Sequence, residues 1–148
     1  MDNKNFIKIL TASLFILLLV LGSSCGKKVI KKPQLLQKIS QVQNYTKIEV
    51  QPIISEKKET IIFKTKIETF QNQAFLEEDL TTVTLLEDNF GKPYQALQWK
   101  KEMSSDYSKT GILTFPYNKE ITNIKLSFFD SEEIIFEWQT QETKKRDK

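Results

Sequence analysis

The sequence predicts an all-β protein, built as a single antiparallel β-sandwich of about seven strands. Two observations support this. From residue 45 onwards, apolar residues alternate with polar ones, the period of a strand with one buried face. Turn-forming residues separate these runs, and no long amphipathic helix lies between them, which argues against a parallel α/β sheet. We therefore assign residues 45–140 to one sandwich domain.

Seven runs of residues carry the alternating pattern. The clearest is ETIIFKTKIETF, in which Ile61, Phe63 and Ile67 share one face and Lys64 and Lys66 share the other. The remaining six are KIEVQPII, DLTTVTLLED, YQALQWK, TGILTF, ITNIKLSFFD and EEIIFEWQT. We expect the large aromatic residues of these runs, both tryptophans included, in the core, because burying each contributes roughly 1.5–3 kcal/mol.

The segment DNFGKPY predicts a tight turn after the third run. Asp88 begins the turn, and Gly91 stands where a positive φ is often needed. Pro93 delays the return to strand pairing, because it has no amide hydrogen.

The first 24 residues have the layout of a secretory signal. Lys4 and Lys8 precede an apolar core at Leu14–Leu21, and small residues follow it up to Cys25. The core is shorter than the roughly 20 apolar residues of a spanning helix. We predict that residues 1–24 are removed. The alternatives are an uncleaved membrane anchor, or an ordinary signal cut elsewhere that leaves a free thiol.

Cys25 is the only cysteine of the chain, and an odd cysteine in an exported protein needs an explanation. The string L-G-S-S-C resembles the lipobox of bacterial lipoproteins, although Gly22 stands at the place that leucine prefers and Leu21 lies one place earlier. The resemblance implies that the Cys25 thiol carries a diacylglycerol and that the new amino terminus is acylated. Two or three chains would hold the protein firmly on a membrane.

Charge is unevenly distributed along the chain. Residues 25–48 hold six lysines and no acid, residues 144–148 carry a net charge of +3, and residues 49–143 carry −7. We interpret residues 25–44 as the lipidated Cys25 followed by a flexible basic tether, and residues 141–148 as a basic tail. The spacing of Leu35, Ile39 and Val42 would allow one helical turn in the tether.

The lysines of residues 25–48 can be interpreted in two ways. They are attracted to anionic lipid, at about 1 kcal/mol per residue near the surface, or they only solvate the tether. They do not indicate nucleic-acid binding, because they lie beside the anchor and not on an element with interleaved aromatic residues.

The composition excludes several chemistries. The chain has no histidine, which rules out Ser-His-Asp and Cys-His catalysis and histidine-ligated metal sites. Its four glycines form no phosphate-binding loop. Carboxylates flank the third run and could attract Ca²⁺, but the two groups lie more than about 20 Å apart along a strand. These are Glu77, Glu78 and Asp79 at one end and Glu87 and Asp88 at the other. We expect solvated turn acids, and no catalytic, cofactor or metal site.

The second half of the chain resembles a group of small bacterial lipoproteins with one immunoglobulin-like domain. The pattern is an acidic turn with Gly and Tyr, a later Trp, a G-x-L-x-F strand and a final F-x-W. Here it is formed by Asp88, Gly91, Tyr94, Trp99, Gly111, Leu113, Phe115, Phe136 and Trp138. The resemblance implies an immunoglobulin-like sandwich. Related sequences often carry a histidine pair where this chain has Tyr107 and Ser108, so a metal role is not expected to carry over.

The leading hypothesis is a lipid-anchored protein of the bacterial cell envelope that acts by binding or by structural support, without catalysis. Its expected partners are the membrane and an envelope protein. Gly26 replaces the aspartate that retains some lipoproteins on the inner membrane, which favours the outer membrane if the cell has one. The alternative is a metal- or ligand-delivery lipoprotein that uses loop carboxylates. A third hypothesis is an envelope hydrolase dependent on a carboxylate pair.

Overall fold

A computed structural model describes residues 32–130 and 132–140, which form ten strands, one 3-10 helix and one short α-helix. The strands are β1 (Gln34–Leu35), β2 (Ile39–Gln43), β3 (Thr46–Ser55), β4 (Thr60–Thr69), β5 (Thr84–Asp88), β6 (Pro93–Gln95), β7 (Gln98–Ser105), β8 (Ser108–Pro116), β9 (Asn123–Phe129) and β10 (Glu133–Gln139). The 3-10 helix, Glu56–Lys58, joins β3 to β4, and α1, Gln73–Glu77, follows β4.

The strands form two antiparallel sheets packed face to face, which confirms the predicted all-β sandwich. The first sheet has the order β3-β4-β8-β7, with β1 and β2 both paired to the free side of β3. The second sheet has the order β10-β9-β5-β6. Inward-facing residues alternate with outward-facing ones along β3, β4 and β8, as expected from the sequence.

Aromatic side chains from both sheets meet in the core. Phe63 of the first sheet packs edge-on against Phe115 at 5.6 Å between ring centroids. The same Phe63 ring lies 5.7 Å from that of Trp138, which belongs to the second sheet. Phe136 stacks on Trp138 at 6.0 Å. The expectation that the aromatic residues of the strand runs fill the core is confirmed for these four, but it is wrong for Phe70 and Phe129, which are 76% and 43% exposed.

The predicted flexible tether is wrong for residues 34–43. β1 pairs with Ile53 and Ile54, and β2 pairs with β3 from Ile39 to Gln43. Ile39 packs against the core, and the Trp138 indole N–H donates to the Gln37 carbonyl at 2.7 Å. The residues whose spacing allowed a helical turn lie in two strands, Leu35 in β1 and Ile39 and Val42 in β2. A two-residue turn after β2 folds this segment back onto β3. The sandwich therefore begins at residue 34 and not at 45.

Two predicted strands also differ from the structure. The run YQALQWK divides into β6 and β7, which lie in different sheets, so Leu97 is exposed while Trp99 packs on the core. In DLTTVTLLED only Thr84–Asp88 forms a strand. Its first residues form a turn, in which the Asp79 carboxylate accepts hydrogen bonds from the amide and hydroxyl of Thr81.

The predicted turn at Asp88 is confirmed. Gly91 has φ +75°, and its amide donates to the Asp88 carbonyl at 3.0 Å. The Asp88 carboxylate accepts hydrogen bonds from the amides of Phe90 and Lys92 and from the Tyr94 hydroxyl, at 2.8, 3.0 and 2.8 Å. These bonds outweigh the opposing effect of burial and lower the pKa of Asp88. They hold the β5–β6 turn in one conformation.

The loops gather at two opposite ends of the strands. The ten-residue strands β3 and β4 span about 33 Å, at roughly 3.3 Å per residue. We call one end the terminal end: it comprises Gln34, the 3-10 helix, residues 89–92, residues 117–122 and Thr140. We call the other the aromatic end: it comprises residues 44–45, 70–83, 106–107, 130 and 132.

Candidate functional site

The aromatic end exposes three aromatic side chains on neighbouring strands. Tyr45, Phe70 and Tyr107 are 67%, 76% and 52% exposed. Tyr45 and Phe70 adjoin the paired residues Thr46 and Thr69, and the Thr69 amide donates to the Tyr107 carbonyl at 2.9 Å. The rings of Phe70 and Tyr107 lie 5.8 Å apart. The sheet thus brings together residues that are up to 62 positions apart in the chain.

The backbone at Tyr45 adopts a conformation that side chains disfavour. Asn44 and Tyr45 form the two-residue turn between β2 and β3, with φ values of +46° and +63°. Such turns favour Asn-Gly, because glycine tolerates a positive φ and a bulky residue does not. An aromatic residue therefore stands at a turn position that would be more stable with glycine.

A cleft of about 590 Å³ opens beside these aromatic residues. Residues of α1, Glu77 among them, line one wall, and the β7–β8 turn with Asp106 and Tyr107 lines the other. The cleft is therefore lined by one of the three exposed aromatic residues, Tyr107, and by two acidic side chains.

A buried lysine holds α1 in place. Lys109 is almost fully buried, and its ammonium group donates to the carbonyls of Phe75 and Glu78 at 2.7 and 2.8 Å. Both carbonyls lie near the C-terminal end of α1, where backbone acceptors have no partner within the helix. Burial lowers the pKa of Lys109 to about 8, against the attraction of Glu78. At the other end of α1, the Asn72 side chain accepts from the Phe75 amide.

Neither the buried position of Lys109 nor the grouping of the aromatic residues was predicted from the sequence. Lys109 occupies the inward position of β8, in step with Gly111, Leu113 and Phe115, so the strand alternation contained the signal. No comparable signal existed for Tyr45 and Phe70, because their proximity depends on the pairing of strands. Position 107 had been noted only because of the family resemblance.

The acidic residues singled out from the sequence lie at opposite ends of the sandwich. Glu77, Glu78 and Asp79 belong to the aromatic end, and Asp88 closes β5 at the terminal end. Within residues 32–130 and 132–140, no three His, Cys, Asp or Glu side chains are grouped so that they could hold a metal ion. Cys25, the predicted lipidation site, lies outside the described residues.

The residues of the motif pattern identified in the sequence shape the fold. Asp88, Gly91 and Tyr94 build the β5–β6 turn. A Cβ atom at Gly111 would lie 2.6 Å from the Trp99 ring and 2.4 Å from the Lys100 carbonyl oxygen. Glycine is therefore needed at this position, where the Trp99 ring crosses β8. None of these residues belongs to the exposed aromatic group.

The two ends differ in charge. The loops of the aromatic end carry six acids and no lysine or arginine: Glu77, Glu78, Asp79, Asp106, Asp130 and Glu132. The loops of the terminal end carry four lysines and three acids: Lys57, Lys58, Lys92 and Lys119 with Glu56, Glu59 and Glu120. β1 begins and β10 ends at the terminal end, where the Gln34 side chain donates to the Thr140 carbonyl at 3.0 Å.

Comparison with known proteins adds no relative. No family model matches the chain, and no curated protein or solved structure is similar to it. In the part of the chain that the structure describes, no helix has the length and apolar character needed to cross a membrane.

Proposed function

We propose that this protein is a small bacterial lipoprotein with one immunoglobulin-like domain, lipid-anchored in the cell envelope at Cys25, and that it binds a protein partner through its aromatic end without catalysis. One observation carries the proposal. Three exposed aromatic residues gather at the end of the sandwich opposite to the one where the chain from Cys25 enters.

The signal-like first 24 residues and the lipobox-like string before Cys25 support the anchor. Eight residues lie between Cys25 and Gln34, the first residue of β1, and the nine Cα-to-Cα steps reach at most about 32 Å at roughly 3.3–3.6 Å each. The terminal end would therefore stay near the lipid, and the aromatic end would stand a further strand length away.

The side chains of the aromatic end support binding to a protein. Tyrosine and phenylalanine are enriched in protein interfaces, because each buries a large area with few rotatable bonds. Tyr45 occupies a turn position that disfavours it, which a stability requirement alone does not explain. Six surrounding acids favour a partner with a basic surface, since complementary charge accelerates association and excludes wrong partners.

Crosslinking in intact cells tests the binding surface. A benzophenone amino acid replaces Phe70 in one strain and Phe90 in the control strain; both native side chains are 76% exposed, at opposite ends of the sandwich. We expect a discrete protein adduct from position 70 and none from position 90. The adduct should disappear when Tyr45 and Tyr107 are replaced by serine. Equal adducts from both positions would contradict the assigned surface.

Intact-mass measurement tests the anchor separately. We expect native protein to lack residues 1–24 and to carry the mass of two or three acyl chains. A Cys25→Ser variant should retain the signal and lose the acyl mass. Native protein with an unmodified thiol at position 25 would refute the anchor.

A further inference from the structure

We propose that the terminal end of the sandwich rests on the anionic bilayer surface, with Phe90 in contact with the lipid headgroup region. This inference rests on the proposed lipid anchor, and it adds a second membrane contact and an orientation. Three observations carry it: the exposure of Phe90, the charge of the segments that continue from the terminal end, and the position of the start of β1 and the end of β10 at this end.

Phe90 is presented by a rigid turn. Its side chain is 76% exposed, although its own backbone amide donates to the Asp88 carboxylate and the amide of Gly91 donates to the Asp88 carbonyl. The Asn89 side chain fixes the turn to the neighbouring loop by accepting from the Thr122 amide at 2.9 Å. Phenylalanine is among the apolar side chains that interfacial segments bury at the boundary between headgroups and acyl chains. A fixed Phe90 would enter that region without a large loss of conformational entropy.

Charge favours the same orientation. Lys57 and Lys58 lie on the 3-10 helix, and Lys92 lies two residues after Phe90. The segments that continue from this end add Lys27, Lys28, Lys31 and Lys32 on one side and the +3 of residues 144–148 on the other. Each basic residue near an anionic surface contributes about 1 kcal/mol. The acids at this end, Glu56, Glu59, Glu120 and Asp88, offset the four lysines of its loops, so the basic excess comes from the two segments, whereas no lysine offsets the six acids in the loops of the aromatic end.

The length of the connecting chain brings this end to the lipid. The nine Cα-to-Cα steps from Cys25 to Gln34 allow a separation of at most about 32 Å between the anchor and the terminal end, to which Phe90 also belongs. Gln34 and Thr140 are hydrogen-bonded to each other, so both basic segments leave from the same place. A free peptide or protein partner for Phe90 would have to compete with a membrane held within this distance.

The test uses the acylated full chain in vesicles of phosphatidylglycerol and phosphatidylcholine. Since Cys25 is the only native cysteine and is expected to be acylated, Phe90→Cys can be labelled alone with an environment-sensitive nitrobenzoxadiazole probe. Phe70→Cys, with the same native exposure, is the matched control. We expect a blue shift and several-fold stronger quenching by headgroup-labelled lipid at position 90 only. The difference should shrink in phosphatidylcholine alone or at high salt.

Flotation of the vesicles separates the two levels of the proposal. Protein that floats but gives equal probe signals at positions 70 and 90 overturns the orientation and leaves the anchor standing. Protein that does not float refutes the anchor and the orientation with it. A stronger lipid signal at position 70 would reverse the assignment of the two ends.

Discussion

The two ends of the sandwich each present one phenylalanine of equal exposure, in opposite surroundings. Phe70 lies beside two other exposed aromatic residues, at an end whose loops carry six acids, whereas Phe90 lies in a turn two residues from Lys92, at an end whose loops carry four lysines. Exposure by itself therefore does not indicate what a side chain meets. In our proposals, the surrounding charge and the path of the chain assign Phe70 to a protein partner and Phe90 to the lipid.

Removing the Asp88 carboxylate should disrupt the terminal end most strongly. We expect Asp88→Ala to lower the free energy of unfolding by about 3 kcal/mol, because two amides and the Tyr94 hydroxyl lose a charged acceptor. Urea denaturation measures this loss. Asp88→Asn keeps one acceptor oxygen and should lose less. The Phe90 contact with lipid should weaken in the alanine variant while crosslinking from position 70 persists; an unchanged midpoint would contradict the role of Asp88.

Lys109→Met tests the support of the aromatic end. We expect a loss of about 2 kcal/mol at neutral pH, because the carbonyls of Phe75 and Glu78 lose their donor. Crosslinking from Phe70 should decrease with it, since α1 forms one wall of the adjoining cleft.

The same variant tests how the stability conferred by Lys109 changes with pH. The pKa of Lys109 is about 8 in the folded protein and 10.5 as its ordinary value, so between these two values the unfolded chain binds more protons. Wild-type stability should therefore rise with pH relative to Lys109→Met from about pH 8 to 10.5. Denaturation curves across this range measure the difference. A stability difference between wild type and Lys109→Met that stays constant over this pH range would contradict the lowered pKa of Lys109.

Gly91 and Tyr45 offer a direct comparison, since both have a positive φ in a tight turn, one at each end. We expect Gly91→Ala to destabilise the domain by about 1.5 kcal/mol, because a Cβ disfavours this backbone conformation. The effect should come from the backbone alone, since a Cβ at Gly91 would touch nothing within 4 Å. Thermal unfolding measures it, and a neutral result would place the strain elsewhere.

Tyr45→Gly should change stability in the opposite direction, by the smallest amount. We expect a gain of about 0.5 kcal/mol, because relief of the strained φ exceeds the added chain entropy of glycine. The same variant should weaken the crosslinked adduct from position 70. A variant that becomes more stable and keeps its partner fully would show that Tyr45 is not part of the binding surface.

The sequence predicted those features that depend on local pattern. Alternation along β3 and β4 identified Ile61, Phe63 and Ile67 as core residues, and DNFGKPY identified the turn at Asp88. These succeeded because a strand face and a tight turn are each determined by a few consecutive residues.

The remaining features depend on partners distant in the chain. β1 and β2 could not be recognised in the lysine-rich segment, since only their pairing with β3 makes them strands. The run YQALQWK has one continuous pattern, yet its two halves pair with β5 and β8 in different sheets. The aromatic end is of the same kind, because it exists only when the turns at Tyr45 and Tyr107 are brought beside Phe70.

The pairing of β2 along β3 has a mechanical consequence. A protein held by lipid at one end and by a partner at the other is pulled along its strand axes. The five paired residues of β2 then resist that force together, in shear, instead of separating one after another. The pairing of residues 34–43 with β3 would let this small domain bear tension between the proposed membrane anchor and the proposed binding partner.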